Sequence, residues 1–251
     1  MPTRIIAHRG APALAPENTL AAFKRALEFP VDGLELDVHL SADARPVVIH
    51  DRLLDRTTSG RGPVDRLDLG ELQSLDAGTH FSDDFRQERI PLLAQVLDLV
   101  DGELEVQIEL KGLAPGLAEA VLDELEGRGL QDRAVITSFA HTILRDVHDL
   151  TTDYRLGALF SPAQKFSADP ELGADEMTGL ARAARASIVL AHHTSIDTAT
   201  ADAITRRNFE VGVWTVDEPD DLLRMFRVGI SRLTTNVPDR ALALRTQLKA
   251  P

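Results

Sequence analysis

Short apolar runs alternate with amphipathic segments along most of this chain, and that alternation constrains the fold more than any other feature. Each apolar run has the length of a buried strand, and the segment after it repeats its apolar residues at helical spacing. Strict alternation favours a parallel sheet, and eight such units favour a closed α/β barrel of the TIM type. An open doubly wound sheet is the alternative. We predict the barrel strands at 4–7, 33–38, 104–110, 134–138, 154–160, 187–191, 210–216 and 232–235.

A hairpin and a long polar segment interrupt the alternation after the second strand. The apolar run 46–49 follows strand 33–38 too closely for a parallel crossover, so we predict a returning antiparallel strand. Residues 51–89 are rich in Asp, Arg, Gly and Ser and are too long for an ordinary loop. We therefore expect one TIM-barrel domain over 1–251, with a small insertion at about 51–89. Helices are predicted at 20–27, 91–100, 116–127, 141–150, 173–184, 199–207, 219–228 and 238–247.

The composition excludes several classes of protein. Without cysteine the chain forms neither a disulfide nor a thiolate metal site. A formal net charge of −13 argues against a nucleic-acid partner, which needs a basic surface. No apolar run reaches the roughly 18 residues of a membrane span, and a signal-peptide core is not expected. We expect a cytoplasmic protein with a small-molecule substrate, and the sequence leaves its oligomeric state open.

Residues 31–51 place candidate catalytic groups within one hairpin. Glu35 and Asp37 are two residues apart on a strand, so both carboxylates point to the same face. With the turn centred near Asp43, His50 falls opposite Glu35 or its neighbour. A core strand carries this much polarity only when the polar groups have a use. The alternative is a solvated hairpin at the edge of a sheet.

Polar and aromatic residues recur where the predicted strands end, which is the catalytic face of a TIM barrel. Glu109 is among them, and on its strand it can meet Glu35 and Asp37 at the barrel mouth. Three carboxylates without a thiol suit a hard divalent cation, either Mg²⁺ or Ca²⁺. In the alternative interpretation, Glu109 simply pairs with Lys111 inside the barrel.

Histidines and cations at these strand ends are candidates for catalysis and phosphate binding. His8 and His50 are acid–base candidates because histidine titrates near neutral pH. Arg9 offers a planar fork for phosphate oxygens and Lys111 a point charge. Either cation is a surface charge in the alternative interpretation.

Aromatic residues at the strand ends are candidates for the pocket wall. Trp214 is the single tryptophan of the chain, and Phe139 follows another strand. Either side chain lines a substrate pocket or simply packs in the core. Of His192 and His193 at most one is expected to face the site, because adjacent strand residues point to opposite faces.

Seven short motifs, in order over nearly the whole chain, resemble the glycerophosphodiester phosphodiesterase family. Each motif is weak alone, and their shared order is specific. The motifs are His8-Arg9-Gly10, Pro16-Glu17-Asn18-Thr19, Glu35-Leu36-Asp37-Val38, Pro46-Val47-Val48-Ile49-His50-Asp51, Ile108-Glu109-Leu110-Lys111, Val213-Trp214-Thr215-Val216 and Thr235-Asn236-Val237-Pro238-Asp239.

The resemblance implies a TIM barrel that hydrolyses glycerophosphodiesters, such as glycerophosphocholine, to sn-glycerol 3-phosphate and an alcohol. It implies a divalent metal, Mg²⁺ or Ca²⁺, and a role in glycerophospholipid metabolism. The implied site residues are Glu35, Asp37 and Glu109 for the metal, His8 and His50 for acid–base catalysis, Arg9 and Lys111 for the phosphate, and Trp214 for the glycerol side of the pocket.

This sequence departs from the family pattern at positions that bear on specificity. Asn236 stands where an aspartate is frequent, and we expect little effect on the chemistry. Ala140-His141 replaces an aspartate-containing continuation after Phe139. The alternative functions are a lysophospholipase D acting on lysolipids and a catalytically inactive barrel that binds phosphodiesters. A glycosidase is disfavoured because neighbours on one strand do not flank a glycosidic bond.

Overall fold

Nine strands form one sheet in the part of the chain that the structure, a computed structural model, describes: residues 2–100 and 104–249. Residues 101–103, at the edge of the predicted strand 104–110, lie outside the described residues. The strands are β1 (Arg4–His8), β2 (Gly33–Leu40), β3 (Pro46–Val48), β4 (Glu105–Leu110), β5 (Ala134–Ser138), β6 (Arg155–Phe160), β7 (Ile188–His192), β8 (Glu210–Trp214) and β9 (Arg232–Thr235).

Eight of these strands are parallel and close into a barrel. Their order is β1-β9-β8-β7-β6-β5-β4-β2, and β1 pairs with both β9 and β2. Because β1 and β2, the two ends of this order, pair with each other, the sheet has no open edge. The predicted TIM barrel is therefore confirmed, and the alternative of an open sheet is wrong. The short β3 pairs antiparallel with β2, in the register Val38 to Val48.

Helices follow the strands and cover the barrel. They are α1 (Leu20–Leu27), α2 (Leu69–Ser74), α3 (Leu93–Leu97), α4 (Leu117–Leu125), α5 (His141–Leu150), α6 (Pro170–Ala183), α7 (Thr198–Arg206), α8 (Pro219–Val228) and α9 (Pro238–Lys249). The main apolar core lies between the strands and these helices. None of the described helices is both long enough and apolar enough to cross a bilayer.

Two helix starts differ from the sequence prediction by two or three residues, for local reasons. Helix α6 begins three residues early because the Asp169 side chain caps it and Pro170 occupies its first turn. Helix α3 begins at Leu93 rather than Pro91, because the Pro91 carbonyl accepts a hydrogen bond from Val48. That bond keeps residue 91 in an extended conformation beside β3.

The segment 51–89 has a small apolar core of its own beside β3. Val47 and Ile49, on and just after β3, pack against Leu54, Val64 and Leu72 of the segment. The short helix α2 is held by Asp68 and Glu71, whose side chains form a capping box. The segment therefore leans on the returning strand, close to the C-terminal ends of β1 and β2.

Five charged residues form a basal ion-pair cluster at the opposite end of the barrel. Each is the first residue of its strand: Arg4, Glu105, Arg155, Glu210 and Arg232. Arg232 is fully buried and reaches Glu105 Oε1 at 2.6 Å, and Glu210 also lies against its guanidinium. Arg4 joins the same two carboxylates, with 2.7 Å to Glu105. The cluster closes the barrel at its N-terminal end.

Candidate active site

Three buried carboxylates meet at the C-terminal ends of β2 and β4. Asp37 and Glu109 are register partners across the two strands, and Glu35 is two residues before Asp37 on the same face. One oxygen from each carboxylate lies within 4.8 Å of the other two. The parallel pairing of β2 with β4 therefore assembles the predicted cluster from residues far apart in the chain.

Burial places these carboxylates under strong mutual repulsion. Burial and the charge of Asp37 raise the pKa of Glu109 to about 7, and they raise the pKa of Glu35 well above its usual value. Burial also opposes ionisation of Asp37, but Arg9 and Lys111 outweigh it and hold the pKa of Asp37 below its usual range. A cation bound between the three groups would favour their ionised forms.

The donor set fits a hard divalent cation. Asp37 is completely buried, and its Oδ2 accepts a hydrogen bond of 2.8 Å from the Asn18 amide. Its other oxygen, Oδ1, is buried without a hydrogen-bond donor among the described residues. This oxygen, which lies 3.4 Å from Lys111 Nζ without a hydrogen bond, and the two further carboxylates offer the oxygen ligands that Mg²⁺ and Ca²⁺ prefer.

His8 is held at the end of β1 by a defined hydrogen-bond chain. Asn236 donates through Nδ2 to Asp217 at 2.6 Å, because a carboxylate only accepts. Asn236 therefore turns its Oδ1 toward His8 Nδ1, at 2.7 Å, and that nitrogen must carry the proton. Burial and the nearby charge of Arg9 lower the pKa of His8 to about 4. His8 is thus a neutral imidazole whose Nε2, 3.8 Å from Glu35, is its basic atom.

His50 has the same tautomer through a different partner. Its Nδ1 lies 2.6 Å from the carboxylate of Asp51, so Nδ1 donates and Nε2 is left to exchange protons. The hydrogen bond from Arg56 holds the pKa of Asp51 at about 2. Burial lowers the pKa of His50, with Arg9 and Lys111 acting in the same direction.

Glu17 ties the two histidine-bearing loops together. It accepts a hydrogen bond of 2.8 Å from Arg9, which follows His8, and two more at 2.8 Å from Arg56. Arg56 in turn donates to Asp51 at 2.6 Å, and Asp51 holds His50. Through this chain, segment 51–89 fixes the position of His50 relative to the β1 loop.

Arg9 and Lys111 are both engaged with carboxylates. Lys111 donates to Glu109 at 2.7 Å and lies 3.4 Å from Asp37. The Arg9 Nε lies 3.2 Å from Asp37 Oδ2, a contact that is not a hydrogen bond. The pairing of Glu109 with Lys111 expected in the alternative interpretation is present, and it coexists with the carboxylate cluster.

Aromatic rings form one wall of the site. Trp214 donates through its indole nitrogen to the Leu190 carbonyl at 3.2 Å, which fixes the ring. Phe139 packs edge-on against Trp214, with ring centroids 5.2 Å apart. His192 also meets Trp214 edge-on, at 5.6 Å. His193 begins a 3₁₀ turn rather than continuing β7, and its Nδ1 lies 3.0 Å from Arg224.

A cavity at the barrel mouth collects most of the predicted site residues. Asp37, which is completely buried, and Lys111, which lines a neighbouring groove, are not among its lining residues. The lining residues are His8, Arg9, Glu35, His50, Gln107, Glu109, Thr137, Phe139, Leu159, Leu190, Trp214, Thr215 and Thr234. The arrangement brings carboxylates, two imidazoles and the Arg9 guanidinium around one small space, which suits acid–base chemistry on an anionic substrate.

The sequence profile of the glycerophosphoryl diester phosphodiesterase family matches residues 8–240. A glycerophosphodiester phosphodiesterase of Caldanaerobacter subterraneus is 36% identical over 248 residues, which cover 97% of this chain and 98% of that relative. The chain belongs to the glycerophosphoryl diester phosphodiesterase family. The predicted family and class of enzyme are confirmed.

Solved structures of the family share this architecture. A phosphodiesterase of Oleispira antarctica, solved in complex with the product sn-glycerol-3-phosphate, is 26% identical with a TM-score of 0.87. The match covers 97% of this chain and 96% of that one. A glycerophosphodiester phosphodiesterase of Agrobacterium tumefaciens is 30% identical with a TM-score of 0.81, over 96% of this chain and 99% of that one.

Several residues that orient the catalytic candidates of this family member were not predicted from the sequence. Asn236 and Asp217 orient His8, while Arg56 and Asp51 orient His50. Asn236 was expected to matter little, yet it contacts the imidazole directly. Glu17 and Asn18 belong to the motif Pro16-Glu17-Asn18-Thr19. That motif drew attention to both residues but did not predict their contacts.

Proposed function

We propose that this protein hydrolyses glycerophosphodiesters to sn-glycerol 3-phosphate and an alcohol, with His8 and His50 as the general acid–base pair. One observation carries the proposal. Both imidazoles line the same cavity beside the carboxylate cluster, and both are anchored through Nδ1. Each therefore presents Nε2 as the proton-exchanging atom, as a reaction with one proton taken and one given requires.

Glu35, Asp37 and Glu109 would hold a divalent cation, Mg²⁺ or Ca²⁺. Such an ion supplies charge stabilisation to a phosphoryl oxygen when it is bound. Arg9 and Lys111 add positive charge at the same place, where it counters the phosphate in a chain of net charge −13. Glu17 and the carboxylate cluster keep both cations in position.

The two histidines have opposite roles in proton transfer. One Nε2 takes a proton from the attacking nucleophile, which is either water or the glycerol hydroxyl of the substrate, as that oxygen bonds to phosphorus. The protonated Nε2 of the other histidine gives a proton to the alkoxide as its P–O bond breaks, and a cyclic phosphate formed by the glycerol hydroxyl is then opened by water. Trp214 and Phe139 exclude water from one side of the cavity and give the glycerol carbons an apolar surface. The Oleispira relative, which binds sn-glycerol-3-phosphate, supports this assignment of the product.

The first test is release of glycerol 3-phosphate from glycerophosphocholine and glycerophosphoglycerol, measured with a coupled dehydrogenase. Activity is expected to disappear with EDTA and to return with Mg²⁺ or Ca²⁺. His8→Ala and His50→Ala are each expected to lower kcat by about 10²–10⁴-fold, while circular dichroism stays unchanged. No release from any glycerophosphodiester with either metal would refute the proposal and favour the lysolipid or inactive-barrel alternatives.

Metal binding can be measured without turnover. Mg²⁺ or Ca²⁺ is expected to raise the Tm of the wild type, because a ligand that binds only the native state stabilises it. Glu109→Gln removes one ligand charge and should abolish that rise. Glu119→Gln, on the exposed face of α4, makes the same change elsewhere and should keep the rise. An undiminished rise in Glu109→Gln would remove Glu109 from the metal site.

A further inference from the structure

A second space opens on the other side of His50. It is a groove of about 440 Å³ between segment 51–89 and the loop after β4. The cavity at the barrel mouth, described above, has a volume of about 80 Å³. His50 lines both spaces. The charged lining residues of the groove are Arg52 and Asp65 of the segment and Lys111 after β4.

We propose that this groove binds the leaving alcohol of the substrate, and that it selects an uncharged polyol over a quaternary ammonium. The inference rests on the proposed function. A phosphodiester has two ester arms that leave phosphorus in different directions, and one small cavity holds only one of them. The retained glycerol is the same in every substrate and suits the tight, aromatic-walled cavity. The variable arm needs the larger space, and the groove meets the cavity at His50, next to the phosphate cations.

The lining of the groove determines which alcohol it accepts. Arg52 and Asp65 stand on its outer side, with Arg52 Nη2 lying 3.5 Å from Asp65 Oδ2. Together they present several hydrogen-bond donors and a carboxylate acceptor with no net charge, which matches the hydroxyl groups of a polyol. Lys111, on the inner side, is already paired with Glu109 and Asp37.

A choline arm finds little in this groove. A quaternary ammonium has no hydrogen-bond donor and is bound by aromatic faces or by unpaired negative charge. Among the described residues, no Phe, Tyr or Trp lines the groove, and its one carboxylate is paired with Arg52. A glycerol arm can instead replace solvent as the partner of both side chains.

The test compares kcat/KM for glycerophosphoglycerol and glycerophosphocholine, both read as glycerol 3-phosphate release with metal present. The wild type is expected to prefer glycerophosphoglycerol. Arg52→Glu puts two carboxylates side by side and should lower that preference by about two- to fivefold, the size of effect that exposed charge pairs permit. Asp65→Asn leaves Arg52 unpaired and should shift the preference in the opposite direction.

Arg61→Glu is the matched control, since it makes the same charge change in the same segment. Arg61 is 90% exposed and lies outside the groove lining. The Arg61→Glu variant should prefer glycerophosphoglycerol over glycerophosphocholine to the same degree as the wild type. A wild type that prefers glycerophosphocholine, an unchanged preference in Arg52→Glu, or equal shifts in Arg52→Glu and Arg61→Glu would each overturn the inference while leaving the phosphodiesterase activity standing. A wild type inactive on both substrates would overturn the proposed function as well.

Discussion

At the scale of single residues, the two histidines differ in what holds them. His8 donates a hydrogen bond to the neutral amide of Asn236, whereas His50 donates one to the ionised carboxylate of Asp51. A charged acceptor stabilises a protonated imidazole more than a neutral one does. The two sites therefore support imidazoles of different basicity, although both present the same nitrogen to the cavity.

We predict that Asp51→Asn lowers kcat by about tenfold or more, within the range that acid–base catalysis contributes. An asparagine accepts or donates at that position, so the tautomer of His50 is no longer fixed. Steady-state kinetics on glycerophosphoglycerol would measure the loss. Asp55→Asn, in the same segment and paired with Arg61, is the control and should keep wild-type kcat.

A second variant separates the acceptor from its support. Arg56→Gln removes the hydrogen bonds to Asp51 and Glu17 but leaves the Asp51 carboxylate beside His50. Its kcat should lie between those of the wild type and Asp51→Asn. Wild-type kcat in Asp51→Asn, together with an inactive His50→Ala, would show that His50 works without this anchor.

At the scale of elements, the turn between β1 and α1 sets the position of Arg9. Arg9 and Asn18 both have left-handed backbone angles, with φ of 54° and 57°. Gly10 between them has φ of 89° and approaches α1 so closely that an added Cβ would lie 2.5 Å from the Ala22 carbonyl carbon. Strained backbone at a site of chemistry is maintained by its surroundings, here by α1 and Glu17.

Gly10→Ala is expected to destabilise the protein and to lower kcat/KM, because the added methyl pushes the turn off α1 and displaces Arg9. The combined cost of crowding and backbone strain is roughly 2–4 kcal/mol, to be measured by urea unfolding. Gly62→Ala is the control: its φ is 86°, yet nothing lies within 4 Å of the added atom. It should cost about 1–2 kcal/mol and leave kcat/KM unchanged. Equal effects of the two variants on kcat/KM would argue against the positioning role of the turn.

At the scale of the whole molecule, the barrel separates stability from chemistry along its axis. The basal ion-pair cluster closes one end and the carboxylate cluster lies at the other. Glu105 and Glu109 stand four residues apart on β4, about 13 Å at the rise of a strand. Both clusters bury charge, but the basal carboxylates accept hydrogen bonds from arginine, whereas Asp37 Oδ1 lies 3.4 Å from Lys111 Nζ and makes no hydrogen bond to a described residue.

We predict that Arg232→Ala lowers the free energy of unfolding by roughly 3–5 kcal/mol, because it leaves Glu105 buried with less compensating charge. Denaturant titration would measure the loss, and kcat well below the unfolding temperature should stay near the wild-type value. Arg145→Ala, on the exposed face of α5, should change stability by less than about 0.5 kcal/mol. A large loss of kcat in folded Arg232→Ala would show that the two ends of the barrel are coupled.

The barrel and the chemical groups at its mouth could be predicted from the sequence alone. The repeat of apolar residues along a strand or a helix is a local pattern, so the element can be predicted wherever a segment is buried on one side. In a parallel barrel all strands end on one face, so polar residues at strand ends such as His8, Glu35 and Glu109 were expected to converge. The same rule applied to the first residues of the strands would have indicated the basal ion-pair cluster.

The hydrogen-bond partners of those groups, and the cavities that they face, could not be predicted in this way. His8 and its partner Asn236 are 228 positions apart in the chain, and Arg56 joins Glu17 across 39. Such pairs depend on strand register and on how segment 51–89 packs beside β3, and no local period encodes either. The groove beyond His50 also exists only because that segment and the loop after β4 come together. Hydrogen-bond partners and cavity walls are therefore properties of the folded chain, because they depend on distances that the sequence order does not contain.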